Sequence, residues 1–517
     1  MKRLLYISIM IFMGCAYLQA QTVFDAVKAA DSDLSGSARY SSMAGAFGAL
    51  GGDVSAIKDN PAGLGVFRKS EISITADQLF QKSKSIWDDD PVTVNRNKFG
   101  LNNFSLVFAS PSPYKTSGLV SSNFSFTYNK LKNFNREVLV RSKETLASAT
   151  DYYAQQAPLN VTSDYIDFDN SRCSWLTVMA FEGYLINPIY NNQGSSIVDW
   201  SPVLWEDEYV LPDYSLYETG SINQYAFTWA GNINNNLFLG ASLNIHSINY
   251  ELQSMYNEDF TGGGWLTMQN IVGISGGGAN ANFGLIYLPV NFLRIGASIQ
   301  TPTIYSLSVE NSSRLDFNSY DYENEKRVDG YINSPEVNRI TSSLHSPLQI
   351  NGSIAFLFGK KGLLSAEYDF KNYTGMYLAD KERGSSVYSN ENDQINTMLN
   401  NTSTFKIGGE YKIDQNFSIR AGYAYMPATH NSSAENIPYS GTVRTDVEYF
   451  VNNGSRYLTT GCGYRDAFWY IDLAFTNQRL DETFYAFNPN GFKDGYVTPA
   501  SVITNFNNLI FTVGFRF

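Results

Sequence analysis

Three histidines, His246, His345 and His430, are the side chains best suited to acid–base or metal chemistry, and they stand far apart. His246 alternates with Asn244 on a strand pattern, His345 begins another strand, and His430 lies in a polar link. No His-Glu-x-x-His, Cys-x-x-Cys or Cys-x-x-Cys-His spacing places two ligands on one turn, so neither a metal nor a cofactor is expected. A haem iron needs an axial His, Met, Tyr or Cys, which keeps a haem-binding or surface-interaction role as the alternative reading. Gly262-Gly263-Gly264 and Gly276-Gly277-Gly278 lack the Lys-Ser/Thr of a phosphate loop and read as a loop and a strand bend. Asp88-Asp89-Asp90 and Glu206-Asp207-Glu208 offer calcium-type oxygens, yet solvated loop charge explains them as well. No spacing suggests a nucleophile with its base, so no enzyme is expected.

The elements that would carry these residues are set by composition. Among 517 residues are 35 tyrosines and 34 phenylalanines, with 17% charged residues and a net charge of -12. The acidic balance argues against nucleic-acid partners, which demand clustered Lys and Arg. Lys2-Arg3, the apolar run Leu4 to Met13 and Ala20 read as a signal peptide over residues 1–20, because the run is too short to span a bilayer. Phe12-Met13-Gly14-Cys15 is a fainter alternative, a lipidation site at Cys15 that lacks the usual Leu. Cys173 and Cys462 then remain, too far apart to suggest more than free thiols. No later stretch offers about 20 consecutive apolar residues, so a membrane form of this chain must be a closed barrel.

Period-two alternation supports that form. Leu509, Phe511, Val513, Phe515 and Phe517 share one face, with Asn508, Thr512, Gly514 and Arg516 mostly on the other. The pattern recurs at 469–476, 417–425, 405–411, 350–358 and 124–128, as expected for walls with apolar outsides and wet insides. Short links near 111–113, 232–236, 289, 359–362, 413–415 and 465–466 alternate with long ones near 81–98, 133–218, 258–270, 314–340, 379–401, 428–450 and 481–501. That count predicts an all-β transmembrane barrel of about 14 antiparallel strands over residues 69–517, multi-pass in a bacterial outer membrane. The terminal Phe517 resembles the signal read by barrel-assembly machinery. Residues 21–68 are dense in Ala, Gly and Ser and suit a plug inside the lumen. The apolar stretch Trp175 to Ile186 either packs on the barrel mouth or forms a greasy landing surface.

The segment Ser37 to Gly63 adds a specific likeness. Its Gly45, Gly48, Asp53, Asn60, Pro61 and Ala62 resemble the hatch of the FadL-like long-chain fatty-acid transporter family. The resemblance implies a hatch-plugged barrel that passes hydrophobic small molecules (long-chain fatty acids or aromatic hydrocarbons) passively, with sideways exit through the wall. It would place Phe24 and Val27 against substrate in the lumen, and Trp175, Met179 and Phe181 in a capture loop. The cationic residues that would hold a fatty-acid carboxylate have no match here. Such a protein is expected to act as a monomer among outer-membrane lipid and lipopolysaccharide.

Overall fold

The computed structural model describes residues 22–112, 117–170, 173–205, 208–322, 324–336, 338–436, 443–492 and 497–517. The signal segment, Cys15, Glu206 and Asp207 lie outside the described residues.

The strands are β1 (Glu71–Trp87), β2 (Asp90–Phe108), β3 (Leu119–Asn133), β4 (Arg136–Arg141), β5 (Ile186–Tyr190), β6 (Ile197–Pro202) and β7 (Val210–Ile233). There follow β8 (Leu237–Phe260), β9 (Trp265–Val290), β10 (Leu293–Gln300), β11 (Ile304–Asp321), β12 (Lys326–Asn333), β13 (Asn338–His345) and β14 (Gln349–Phe358). The last third holds β15 (Gly362–Lys371), β16 (Tyr377–Ala379), β17 (Thr402–Lys412), β18 (Phe417–Met426), β19 (Tyr449–Arg465), β20 (Trp469–Tyr485) and β21 (Ala500–Arg516). All but β5 and β6 belong to one antiparallel sheet, closed by pairing of β1 with β21 from Glu71↔Arg516 to Ile86↔Ser501. Several segments share a crossing (β3 with β4, β10 with β11, β12 to β14, β15 with β16), so the wall has 14 crossings.

Alternation explains why the sheet closes in a membrane. Ile72, Ile74, Phe227, Leu243, Ile245, Phe283, Ile407, Phe475 and Phe511 are exposed on the outer face. Ser73, Thr75, Asp77, Glu410, Arg420 and Asp472 are buried on the inner one. An apolar outside and a polar inside is stable only when lipid covers the outside. Phe292, Phe358, Phe468, Trp469, Phe515 and Phe517 form an aromatic girdle near the short-turn end.

Three of the expected long links are not loops. Residues 81–98, 258–270 and 314–340 are mostly strand: β1 and β2 pair up to Trp87↔Asp90, and β8 pairs with β9 up to Asp259↔Trp265. Asp88 and Asp89 form the tight turn of the first hairpin with φ of 45° and 62°, as its right-handed twist requires. Polar composition there reflects strands above the membrane, whose outer face meets water while inner-face residues such as Gln81, Ser85, Glu258 and Asn270 stay buried. At about 3.3 Å per residue, the 26 residues of β9 reach far beyond the 9–11 that cross a bilayer. The wall therefore rises well above the membrane on the long-loop side.

Candidate functional site

The lower lumen is filled by the N-terminal segment. Helices α1 (Val23–Ala30) and α2 (Ala38–Ser42) are followed by 3-10 turns at Ser55–Lys58 and Pro61–Val66. Arg39 forks onto Glu410 (2.9 and 3.2 Å), and Glu410 also accepts from Arg420 (2.6 Å), which reaches Asp472 (2.5 Å). Of the hatch residues, Gly45 holds φ at 70°, with a Cβ space already taken by Tyr40 and Leu34. The Gly48 amide donates to Glu367 (2.6 Å), and Asp53 accepts from the Ser37 hydroxyl and the Ser55 amide (2.9 Å each). Asn60 donates to the carbonyls of Gly48 (2.7 Å) and of Leu285 on β9 (3.1 Å), and its oxygen accepts from the Ala62 amide (3.1 Å). Pro61 sits at the first turn position, where its missing N–H costs nothing.

The wall makes room for this plug with glycines. Gly240 and Gly284 face each other across β8 and β9, and a Cβ on either would overlap Asn60 to Ala62. Gly408 and Gly422 are likewise opposite on β17 and β18, beneath Met43. Backbone thus lies directly on backbone. The plug is seated on the wall at both places.

Above the plug lies a cavity of about 260 Å³. Helix α1 forms one side of it. A reciprocal capping box starts this helix, with the Asp25 amide donating to the Thr22 hydroxyl (3.2 Å) and the Thr22 amide to Asp25 (2.9 Å). Its polar face is tied by Asp25 to Arg444 (3.1 Å) and by Lys28 to Glu218 (2.5 Å) and Tyr250. Its small apolar face, Val23, Ala26 and Ala29, packs on Ile248, Val272, Ile274 and Val309 of the wall. Phe24 and Val27 line the cavity, where Phe24 stacks against Tyr449 at 5.6 Å. Tyr152, Tyr214, Leu216, Leu252, Val447 and Phe450 supply more apolar lining.

His430 also lines the cavity. Burial pushes its imidazole down to about 4, so it is neutral at ordinary pH. Its Nδ1 accepts from the Asn452 amide (3.3 Å), which places the proton on Nε2. An iron ligand through Nε2 needs the opposite tautomer.

Beside the cavity the wall is interrupted. β2 pairs with β3 only from Asn103↔Asn129 to Phe108↔Phe124. Beyond that point β3 and β4 pair with β7 alone, through a register shift at Lys130/Lys132. Among the described residues, the upper edge of β2 therefore has no ladder partner. A bulge between Thr75 and Ala76, opposite Asn102, marks the lower corner, where Asn102 donates to the Gly36 carbonyl of the plug (3.2 Å). Arg96 marks the upper one: its guanidinium reaches across to the carbonyls of Arg136 (3.0 Å) and Glu218 (2.7 Å) and stacks on Tyr217. Residues 97–102 between these corners span roughly 20 Å of strand. Lys130 lies in the gap, 3.9 Å from Asp77, and both line the cavity, as do Leu79 and Asn102. On the outside, Phe99 and Leu101 are exposed.

The extracellular mouth is roofed by the link from β4 to β7, which carries α3 (Ala149–Gln156) and α4 (Trp175–Glu182). Helix α4 is apolar on every side, and a helix of that kind must be enclosed. Met179 is fully buried among Leu176, Leu266, Met268 and Leu315, Phe181 meets Trp200 edge-on, and Trp175 packs on Phe168 and Val443. The stretch is thus the underside of a lid rather than a landing surface. Trp175, Met179 and Phe181 are not among the cavity-lining residues.

Sequence reasoning did not find Glu218, Arg136, Arg444 or Glu448, because their roles depend on which strands become neighbours. Only the lumen-phase glycines of β8, β9, β17 and β18 left a readable trace.

These features together describe a plugged barrel with a roofed cavity and a side window. The whole-chain comparison agrees with that description: a Pseudomonas aeruginosa FadL homologue superposes with a TM-score of 0.51 over 94% of this chain and 99% of its own, at 12% identity. The fold is that of the FadL-type channels. Toluene transporters from Pseudomonas putida (TodX) and Ralstonia pickettii (TbuX) superpose with TM-scores of 0.48, at 10% and 14% identity, over 94% of this chain and 99% of theirs. No family profile and no curated relative matches the sequence. With the FadL-type fold in place, the Asn60-Pro61-Ala62 turn acquires a physical purpose. It clips the plug to β8 and β9, opposite the clip that Arg39 makes to β17 and β18.

Proposed function

We propose that this protein is a passive outer-membrane channel for small hydrophobic molecules. Cargo enters beneath the roof, rests in the cavity against Phe24 and Val27, and leaves sideways between β2 and β3. The missing ladder beside the cavity is the observation that carries this reading. A plug clipped to the wall stands in the straight path, while the window opens toward lipid, where apolar cargo belongs. Each 100 Å² of apolar surface moved from water into the cavity gains roughly 2.5 kcal/mol, enough to draw a small hydrocarbon in without an energy source. The chain performs no chemistry on its cargo. It works as a monomer, inserted by barrel-assembly machinery that reads the closing strand β21.

The test is uptake of radiolabelled toluene and palmitate by cells that carry the protein, lack it, or carry Gly100→Phe. A Cβ at Gly100 would sit 2.5 Å from the Lys130 ammonium, so a ring there fills the window. We expect uptake of at least one cargo to need the protein and to fail in the variant, while the barrel still shows its heat-modifiable gel mobility. Equal uptake in all three strains overturns the proposal.

A further inference from the structure

The charges around the cavity do not balance. Eight carboxylates line it against five basic side chains. Every one of the five is already engaged: Lys28 with Glu218, Lys130 with Asp77, Lys132 with Asp31 and Asp33, Arg136 with Glu218 and Glu482, and Arg444 with Asp25 and Asp446. These pairs use seven of the acids. Glu448 is left over. Both its carboxylate oxygens are withdrawn from solvent and have no hydrogen-bond partner on any other described residue. Burial, aided by the acidic Asp446 and Glu258 and opposed by its own backbone amide, pushes its carboxyl up to about 8. Isolated buried acid of this kind is costly unless something supplies a donor.

We propose that the cavity is built for an apolar molecule with an amine head group, with Glu448 as the acceptor for that head. This rests on the channel reading above and names its substrate class. An anionic head, by contrast, finds no unpaired cation among the lining residues. The rings of Tyr152 and Tyr214 line the same chamber and bring aromatic groups that attract a cation. The amine forms a charge-assisted hydrogen bond to Glu448, while its chain lies against Leu216, Leu252 and Val447. At neutral pH the carboxyl gives up its proton to solvent as the ammonium arrives.

The experiment uses the full-length protein in lipid nanodiscs and isothermal titration with octylamine, octanol and octanoate, with empty nanodiscs subtracted. We expect octylamine to bind at least about tenfold more tightly than octanoate, with octanol between them. Glu448→Gln should bring octylamine to the affinity of octanol and leave octanol unchanged, which also shows that the variant folds. Titration at pH 7 in two buffers of different ionisation enthalpy should reveal a proton released per octylamine in the wild type and none in the variant. Octanol binding without amine preference, or a preference that survives in Glu448→Gln, overturns the head-group inference while leaving the channel reading intact. Failure of all three ligands to bind overturns both.

Discussion

Replacing Gly284 by alanine tests whether the plug is clipped to the wall through Asn60. The new methyl carbon would overlap the Asn60 oxygen and lie 2.8 Å from the Pro61 Cδ. Asn60 must then withdraw, and its bonds to Gly48 (2.7 Å), Leu285 (3.1 Å) and Ala62 (3.1 Å) cannot all survive. Losing two of these at about 1 kcal/mol each, with about 1 kcal/mol of strain, gives roughly 3 kcal/mol. That corresponds to a rise of roughly a hundredfold in the population with the plug displaced. The wall itself is not weakened, since alanine suits a strand better than glycine does. Single barrels in a planar bilayer provide the assay, because a displaced plug opens an ionic path. Asn60→Ala alone should also raise the opening frequency, and the double variant should open far less often than the two single effects combined predict, since the overlap with the Asn60 side chain is gone and only the approach to the Pro61 Cδ remains. Gly352→Ala, where an added Cβ meets nothing within 4 Å, is the silent control. Fully additive effects in the two single variants, or wild-type quietness in Gly284→Ala, would refute the reasoning.

Arg96→Ala removes the strap at the upper corner of the window, with two charge-assisted bonds worth about 3 kcal/mol together. Faster hydrogen exchange in the upper halves of β1 and β2 and faster cargo uptake are expected, and unchanged exchange there would show that Arg96 holds nothing closed. The link between β18 and β19 should respond to pH at both limits. Glu448 has its carboxyl raised from 4.5 to about 8, so its share of local stability is complete below pH 4.5 and is lost as pH rises through 8. His430, lowered from 6.5 to about 4 by burial with Asp31 acting the other way, contributes fully above pH 6.5 and loses that contribution as pH falls through 4. Protection of residues 427–436 and 443–452 from exchange, corrected for intrinsic rates, should therefore peak at about pH 5–6. Glu448→Gln should abolish the alkaline decline; a wild-type protection that climbs from pH 6 to 8 contradicts the assignment.

Much of this protein follows from local pattern. Alternation at Leu509 to Phe517 and its repeats depends on the two-residue period of a strand, which any single strand displays. The turn positions, the crossing count and the use of 22–68 as small-residue filling follow from the same local rules. Polar composition misleads at 81–98 and 258–270, because a strand whose outer face stands in water and whose buried inner face carries polar groups such as Gln81, Ser85, Glu258 and Asn270 has the make-up of a loop. The apolar character of Trp175 to Glu182 is legible, but whether it meets solvent or a lid interior depends on its partners.

Tertiary structure alone decided the site. Glu448 and Arg136 lie more than 300 positions apart in the chain and meet around one cavity only after β4 and β19 take their places in the ring. The window exists because β3 keeps its ladder with β7 but loses the one with β2 after Asn129, a parting that no property of residues 130–133 announces. Charge balance is likewise a sum over neighbours: each acid is ordinary by itself, and Glu448 becomes unusual only when every base around it is found taken. Strand periodicity is a property of one segment, whereas pairing, gaps and uncompensated charge belong to the assembled wall.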